Sequence, residues 1–187
     1  RGIQVTAEVT PHHLLLTDEL ARSYDAVYKV NPPLRTEADV LALRAALVDG
    51  TIDIIATDHA PHPIEAKDCE WAAAAFGMLG LEIAASVAIQ VLIDSKQSDW
   101  KRLTEVLSTN PARIGRLADQ GQPIEAGNVA NLVLLDPTAK RVIADSKSKS
   151  SNNPYRGLTL PGAVVHTIYR GYPTVLNSQL AAKGLNA

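Results

Sequence analysis

Ile52, Ile54, Ile55 and Ala56 form a nearly continuous apolar run inside the segment 51–57. A strand that is apolar at successive positions offers neither face to water, so it must be covered on both sides, as strands of parallel sheets are. The residues before it predict part of that cover. Thr36-Glu37-Ala38-Asp39 reads as a helix start, with Thr36 as the cap and acids in the first turn. Val40, Leu43 and Leu47 mark one face, and Gly50 closes the helix in a left-handed cap. Further upstream, Ile3, Val5, Ala7 and Val9 alternate with Gln4, Thr6, Glu8 and Thr10, which predicts a strand over 3–10 stopped by Pro11. Between them, a short helix is expected over 14–24, extended chain over 27–30, and a rigid loop at Asn31-Pro32-Pro33. Strand, helix, strand and then a long helix is an α/β layout.

The run 71–93 tests the alternative of a membrane span, because it carries one charge, Glu82. That acid at mid-span, with Ser86, Gln90 and many weakly apolar alanines, favours a buried helix beginning near Leu81, after Gly77 and Gly80. Two short helices are expected next. Trp100, Leu103 and Leu107 mark the first, and Asn110-Pro111 starts the second. From Gly121 onward glycine and proline recur between β-rich segments at 131–135, 141–143 and 163–170, while 146–153 reads as an exposed polar loop. The expected division is an α/β portion, 1–118, and a β portion, 119–187.

Eighteen Lys and Arg against 20 Asp and Glu, with no long run of one sign, argue against broad binding to nucleic acid or an anionic membrane surface. Cys69 is the single cysteine, which excludes an internal disulfide and a cysteine-based zinc knuckle and fits a reducing cytoplasm. The opening Arg1-Gly2-Ile3, without an initiator Met, suggests a piece of something longer.

Four of the five histidines fall in two groups. Asp58-His59-Ala60-Pro61-His62 stands where the apolar strand ends, and in α/β folds functional groups gather at the carboxyl ends of strands. An aspartate there can ligate a metal, accept a proton or cap a turn. His62 is a weaker candidate for function, and His59 reads as a hydrogen-bonded structural histidine. His12 and His13, if extended, would point to opposite sides and could not share one ion. Asn31, held extended before proline, suits an amide offered to a substrate carboxylate or a plain turn. No phosphate loop, dinucleotide fingerprint or nucleophile elbow is present.

In order and spacing, Thr6-Ala7-Glu8-Val9-Thr10-Pro11-His12-His13-Leu14, Lys29-Val30-Asn31-Pro32-Pro33-Leu34-Arg35 and Ala56-Thr57-Asp58-His59-Ala60-Pro61-His62 resemble the carboxy-terminal half of class I dihydroorotases of the amidohydrolase superfamily. Phe76-Gly77, Asn110-Pro111-Ala112, the stretch 127–136 and Asn153-Pro154-Tyr155 with Gly157 extend the resemblance over nearly the whole chain. It implies the last strands of a (β/α)8 barrel beside part of a composite β-sandwich, with zinc at the barrel mouth. It implies that Asp58 binds metal and moves the proton, that Asn31 and His62 hold dihydroorotate, and that the Phe76-Gly77 main chain meets the pyrimidine ring. The reaction implied is the zinc-dependent, reversible hydrolysis of dihydroorotate to N-carbamoyl-L-aspartate.

The family's remaining metal ligands lie upstream of this sequence, so the chain is expected to hold one ligand and to need an amino-terminal half of the same protein. Self-association, and association with aspartate transcarbamoylase, are the partners the resemblance suggests. Two other readings stay open. One is a different cyclic amidohydrolase of allantoinase or hydantoinase type; the other is an inactive homologue serving as a scaffold for aspartate transcarbamoylase. Asn31 and His62, as groups suited to a carboxylate, favour dihydroorotate.

Overall fold

Glu8 lies opposite Ile54 and Val9 opposite Ile55 where β1 (Glu8–Val9) and β2 (Ile54–Ile55) pair in parallel in the computed structural model, which describes residues 2–144 and 146–181. Both strands are shorter than the predicted 3–10 and 51–57. Pairing decides this, since a strand exists where backbone groups find partners. The Ala7 carbonyl accepts from Asp53 N at 2.9 Å and Val9 O accepts from Ala56 N at 3.0 Å. Ile3 and Val5 have no such partner among the described residues and are 73% and 79% exposed.

Pro11 starts a helix, where a stop was predicted. It opens α1 (Pro11–Leu15), where its missing N–H costs nothing, and the Thr10 hydroxyl caps the turn by accepting from His13 N at 3.2 Å. The predicted helix over 14–24 is therefore two pieces, α1 and a 3-10 turn at Asp18–Ser23. Thr17 separates them by bridging to Arg35, whose carbonyl accepts from Asp18 N at 2.9 Å. The extended stretch expected over 27–30 is partly a 3-10 turn, Ala26–Tyr28, because Asp25 Oδ1 accepts from Val27 N and tightens the chain there.

α2 (Glu37–Asp49) follows its sequence pattern closely. Thr36 and Asp39 form a capping box, Gly50 ends the helix at φ 90°, and Val40 and Leu47 are fully buried. The apolar run becomes helical at Leu81, as expected, passing from a 3-10 turn (Leu81–Ile83) to α3 (Ala84–Ala88) and then to a π turn (Ile89–Asp94). No helix among the described residues is long and apolar enough to cross a membrane.

The two helices expected after Asp94 are one continuous rod. α4 (Trp100–Thr104) runs through a π turn (Glu105–Thr109) into α5 (Asn110–Ile114). A wider turn accommodates Pro111, which cannot donate to the carbonyl four residues back. Asn110 does not cap this rod: its backbone is helical, and its amide donates to Asp53 O at 3.0 Å, tying the rod to β2. Arg102 makes a second tie, donating to Leu47 O at 2.9 Å and Ile52 O at 2.7 Å.

The last part is an antiparallel sheet in the order β3 (Leu132–Val142), β4 (Thr159–Tyr169), β5 (Tyr172–Leu176), β6 (Gln179–Leu180). The predicted segments 131–135 and 141–143 are largely one strand, broken in register between Asp136 and Lys140, where Asp136 folds onto Thr138 N. β4 lies against the long helix at Gly162. A Cβ there would sit 2.4 Å from Ile89 Cδ1, and the φ of +76° suits glycine. Ile143, Tyr155 and Leu160 join Leu14, Leu47, Val87 and Leu92 in a shared core.

Candidate active site

Beyond β2 the chain turns sharply at Asp58, whose φ of 45° is a left-handed conformation that aspartate tolerates better than most residues. His59 then bridges to Met78, and Ala60 N donates to Met78 O at 3.0 Å. These bonds pin the 58–62 segment against the 76–80 segment. The Asp58 side chain is exposed and caps no turn among the described residues, which removes the local structural duty it was otherwise a candidate for. His59 has such a duty: its Nδ1 accepts from Gly80 N at 3.1 Å and Leu81 N at 3.2 Å, at the start of the long helix.

His62, Phe76 and Gly77 come together. His62 Nε2–H donates to Phe76 O at 2.8 Å, which fixes Nε2 as the protonated ring nitrogen. Gly77 has a φ of +131°, and a Cβ added to it would lie 2.8 Å from His62 Nε2 and 2.7 Å from Ala60 Cβ. Gly77 N donates to Lys29 O at 3.0 Å, so the Phe76-Gly77 segment also lies beside the segment that leads to Asn31. Asn31 is exposed and its peptide to Pro32 is cis. The loop it begins is held from behind by His13, whose Nε2 is 3.1 Å from both Pro32 O and Pro33 O.

His12 and His13 differ from the expectation for an extended segment. On α1 their ring centroids are 4.5 Å apart. His13 is engaged on both nitrogens, with Thr10 Oγ1 2.7 Å from Nδ1. His12 is fully buried, and burial first, then the nearby His13, lower its pKa from 6.5 to about 3, so it is neutral.

Three residues that sequence reasoning passed over shape this site. Lys29 is buried, and its Nζ donates to Trp71 O, Ala72 O and Ala74 O at 2.6, 3.1 and 2.7 Å while lying 4.5 Å from the centre of the Phe76 ring. Lys67 Nζ donates to Lys29 O, Ala75 O and Gly77 O at 3.2, 2.9 and 2.9 Å. Burial, and then Lys29, hold the Lys67 ammonium below the usual lysine range. Asn152, expected in an exposed loop, is buried at 4% exposure, and its amide donates to Ala60 O and Gly77 O at 2.8 and 3.2 Å while accepting from His62 N at 3.3 Å. Only its position just before Asn153-Pro154-Tyr155 hinted at order.

Among the described residues no three His, Cys, Asp or Glu side chains form a group able to hold a metal ion. A zinc centre takes three or four protein ligands, so Asp58 by itself does not make one. What the described residues assemble is a rim: an exposed carboxylate, an exposed amide, an imidazole and a constrained main-chain segment.

This rim stands at the carboxyl end of a parallel strand in an α/β frame, the end at which (β/α)8 barrels carry their functional groups. The amidohydrolase family model matches residues 6–173, and the chain belongs to that family. It is similar to the dihydroorotase of Leifsonia xyli subsp. xyli, 62% identical over 179 residues that cover 95% of this chain and 41% of that protein. The dihydroorotase of Streptomyces coelicolor is 58% identical over 182 residues, covering 96% of this chain and 42% of that protein. Among solved structures, the L-hydantoinase (dihydropyrimidinase) of Arthrobacter aurescens superposes with a TM-score of 0.85 at 28% identity, over 95% of this chain and 41% of its own. The chain thus spans about two fifths of the length of these relatives.

Proposed function

We propose that this chain is the substrate-binding and proton-transfer portion of a dihydroorotase, a hydrolase that opens the dihydroorotate ring to N-carbamoyl-L-aspartate. One observation carries the reading: Asn31, His62 and Phe76-Gly77 stand on three segments hydrogen-bonded to one another beside the Asp58 turn. In this proposal the Asn31 amide and the His62 imidazolium, through Nδ1–H, hold the substrate carboxylate, and main-chain groups of Phe76-Gly77 face the ring. Asp58 takes a proton from the attacking water and returns it to the leaving ring nitrogen, a role that needs an unencumbered carboxylate. Asp58 also supplies one ligand of a zinc centre whose other ligands come from the longer parent protein. The 1–118 portion carries every one of these residues, and the 119–187 portion contributes Asn152 beneath them.

A second reading, hydrolysis of a hydantoin-type ring, is favoured by the likeness to the L-hydantoinase structure. Hydantoin itself has no carboxylate for Asn31 and His62 to hold, which separates the two. The test uses the full-length parent loaded with zinc and offered dihydroorotate, hydantoin and allantoin in parallel. Turnover of dihydroorotate with little of the others is expected. Preference for hydantoin would replace the first reading with the second.

A further inference from the structure

Lys67 and Asn152 approach the same atom. The Gly77 carbonyl accepts from Lys67 Nζ at 2.9 Å and from Asn152 Nδ2 at 3.2 Å, filling both of its acceptor positions from two distant parts of the chain. Each donor also grips a second segment of the rim. Lys67 reaches Lys29 O, two residues before Asn31, and Asn152 reaches Ala60 O and His62 N. The preceding peptide, between Phe76 and Gly77, is held as well, because the Gly77 N–H donates to Lys29 O at 3.0 Å. The Asn31, His62 and Phe76-Gly77 segments are thereby joined at one carbonyl.

We infer that Lys67 and Asn152 are positioning residues for substrate binding, setting through the Gly77 carbonyl the spacing of the three segments that meet dihydroorotate; the inference rests on the site reading proposed above. Neither side chain is needed to contact substrate. A loop bent at a φ of +131° has few intrinsic restraints, and the 66–77 arc around it is largely irregular. Without the two donors the Gly77 carbonyl loses both partners and the 77–78 peptide is no longer tied to the 60 and 67 segments, so the spacing of the 76–77 peptide from them rests on Lys29 O and His62. Lys67 is suited to this work as a half-buried ammonium whose three N–H donors meet three carbonyls, and Asn152 as an amide using donors and acceptor alike.

The experiment uses the zinc-loaded full-length parent and four proteins: wild type, Lys67→Met, Asn152→Asp and the double variant. Asn152→Asp keeps the shape and the acceptor for His62 N while removing the donors to Gly77 O and Ala60 O. Each single variant is expected to raise KM by about 10- to 100-fold, the scale of a ~1 Å misplacement, with kcat changed far less. The double variant should raise KM by less than the product of the single effects, because both act through one carbonyl. The comparison is made on whichever cyclic amide the wild type turns over, so a wrong substrate reading shows in the wild type and a wrong positioning reading shows in the variants. Unchanged KM in a folded single variant, a loss confined to kcat, or multiplicative effects in the double variant would overturn the inference. So would failure of both single variants to fold, which would make these residues structural alone.

Discussion

His62 Nε2 donates to the Phe76 carbonyl at 2.8 Å, so two of the groups proposed to face substrate are in contact with each other. The bond orients the imidazole and makes Nδ1 an acceptor in the neutral ring, so the ring holds a substrate carboxylate through Nδ1 only as the imidazolium. It also means that truncating His62 releases the Phe76 peptide as well as removing a partner of the substrate.

His62→Ala and Asn31→Ala should therefore act on substrate handling in the full-length enzyme. Removing one hydrogen-bond partner of a substrate carboxylate costs about 1–3 kcal/mol, which is about 5- to 150-fold in KM. His62→Ala is expected to be the more harmful, because it frees Phe76 O too. Steady-state kinetics on dihydroorotate decide the matter, and wild-type KM in both variants would place the carboxylate elsewhere.

Asp58→Asn should leave the fold in place and lower kcat by about 10²- to 10⁴-fold, the usual contribution of a positioned acid-base group. Asn has the same shape and suits the φ of 45° at this turn, so the backbone has no reason to rearrange. It cannot take a proton from water. Near-normal turnover in a folded, zinc-loaded Asp58→Asn protein would end the proton-transfer role.

The sequence made some of this geometry legible and hid the rest for physical reasons. Thr36, Asp39 and Gly50 announced α2 because caps are local chemistry, and Leu81 announced the long helix because two glycines precede it. The extents of β1 and β2 were not legible, since strand length depends on partners far along the chain. Asp58, Asn31 and His62 stood out as candidates because the Asp58 segment follows an apolar strand, Asn31 precedes two prolines, and all three fall in motifs of the resembled family. Lys67 and Asn152 were not, because a lysine in an irregular loop and an asparagine in a serine-rich one look like solvated surface until the fold buries their polar atoms against carbonyls.

Gly77→Ala tests the tight approach directly. The added Cβ would meet Ala60 Cβ at 2.7 Å and His62 Nε2 at 2.8 Å, and the backbone would be strained at φ +131° whatever the space. Strain of this kind costs about 1–3 kcal/mol. A lower melting temperature and a raised KM should appear together in one variant. Ala tolerated on both counts would show that the 76–77 peptide is free to shift.

His13→Ala should leave the zinc content of the full-length enzyme unchanged, because both ring nitrogens are committed to Thr10 Oγ1 and to the Pro32 and Pro33 carbonyls. The cost should fall on the loop that begins at Asn31, as a rise in KM smaller than that of Asn31→Ala. Metal analysis alongside kinetics separates the two effects. Loss of zinc would assign His13 to the metal centre.

His12 should make the protein sensitive to acid below neutrality. Its folded pKa is about 3 against 6.5 for an ordinary histidine, chiefly through burial and then through His13. The native state therefore holds the ring neutral across a range in which the unfolded chain takes up a proton. For a depressed folded pKa the stability is fully present above about pH 6.5 and is lost as pH falls from there towards 3. The slope is about 1.4 kcal/mol per pH unit from this one group. His12→Leu removes the titration and replaces a fully buried polar ring by an apolar side chain, so its own stability at pH 7 should change little or rise. Thermal unfolding of wild type and variant between pH 7.5 and 4 gives the comparison, and the difference between the two curves cancels the carboxylates they share. The curves should separate as pH falls, with His12→Leu the more stable protein at pH 4.5. Parallel curves would show that His12 exchanges no proton on unfolding, and that the native protein tolerates an imidazolium at the buried face of α1.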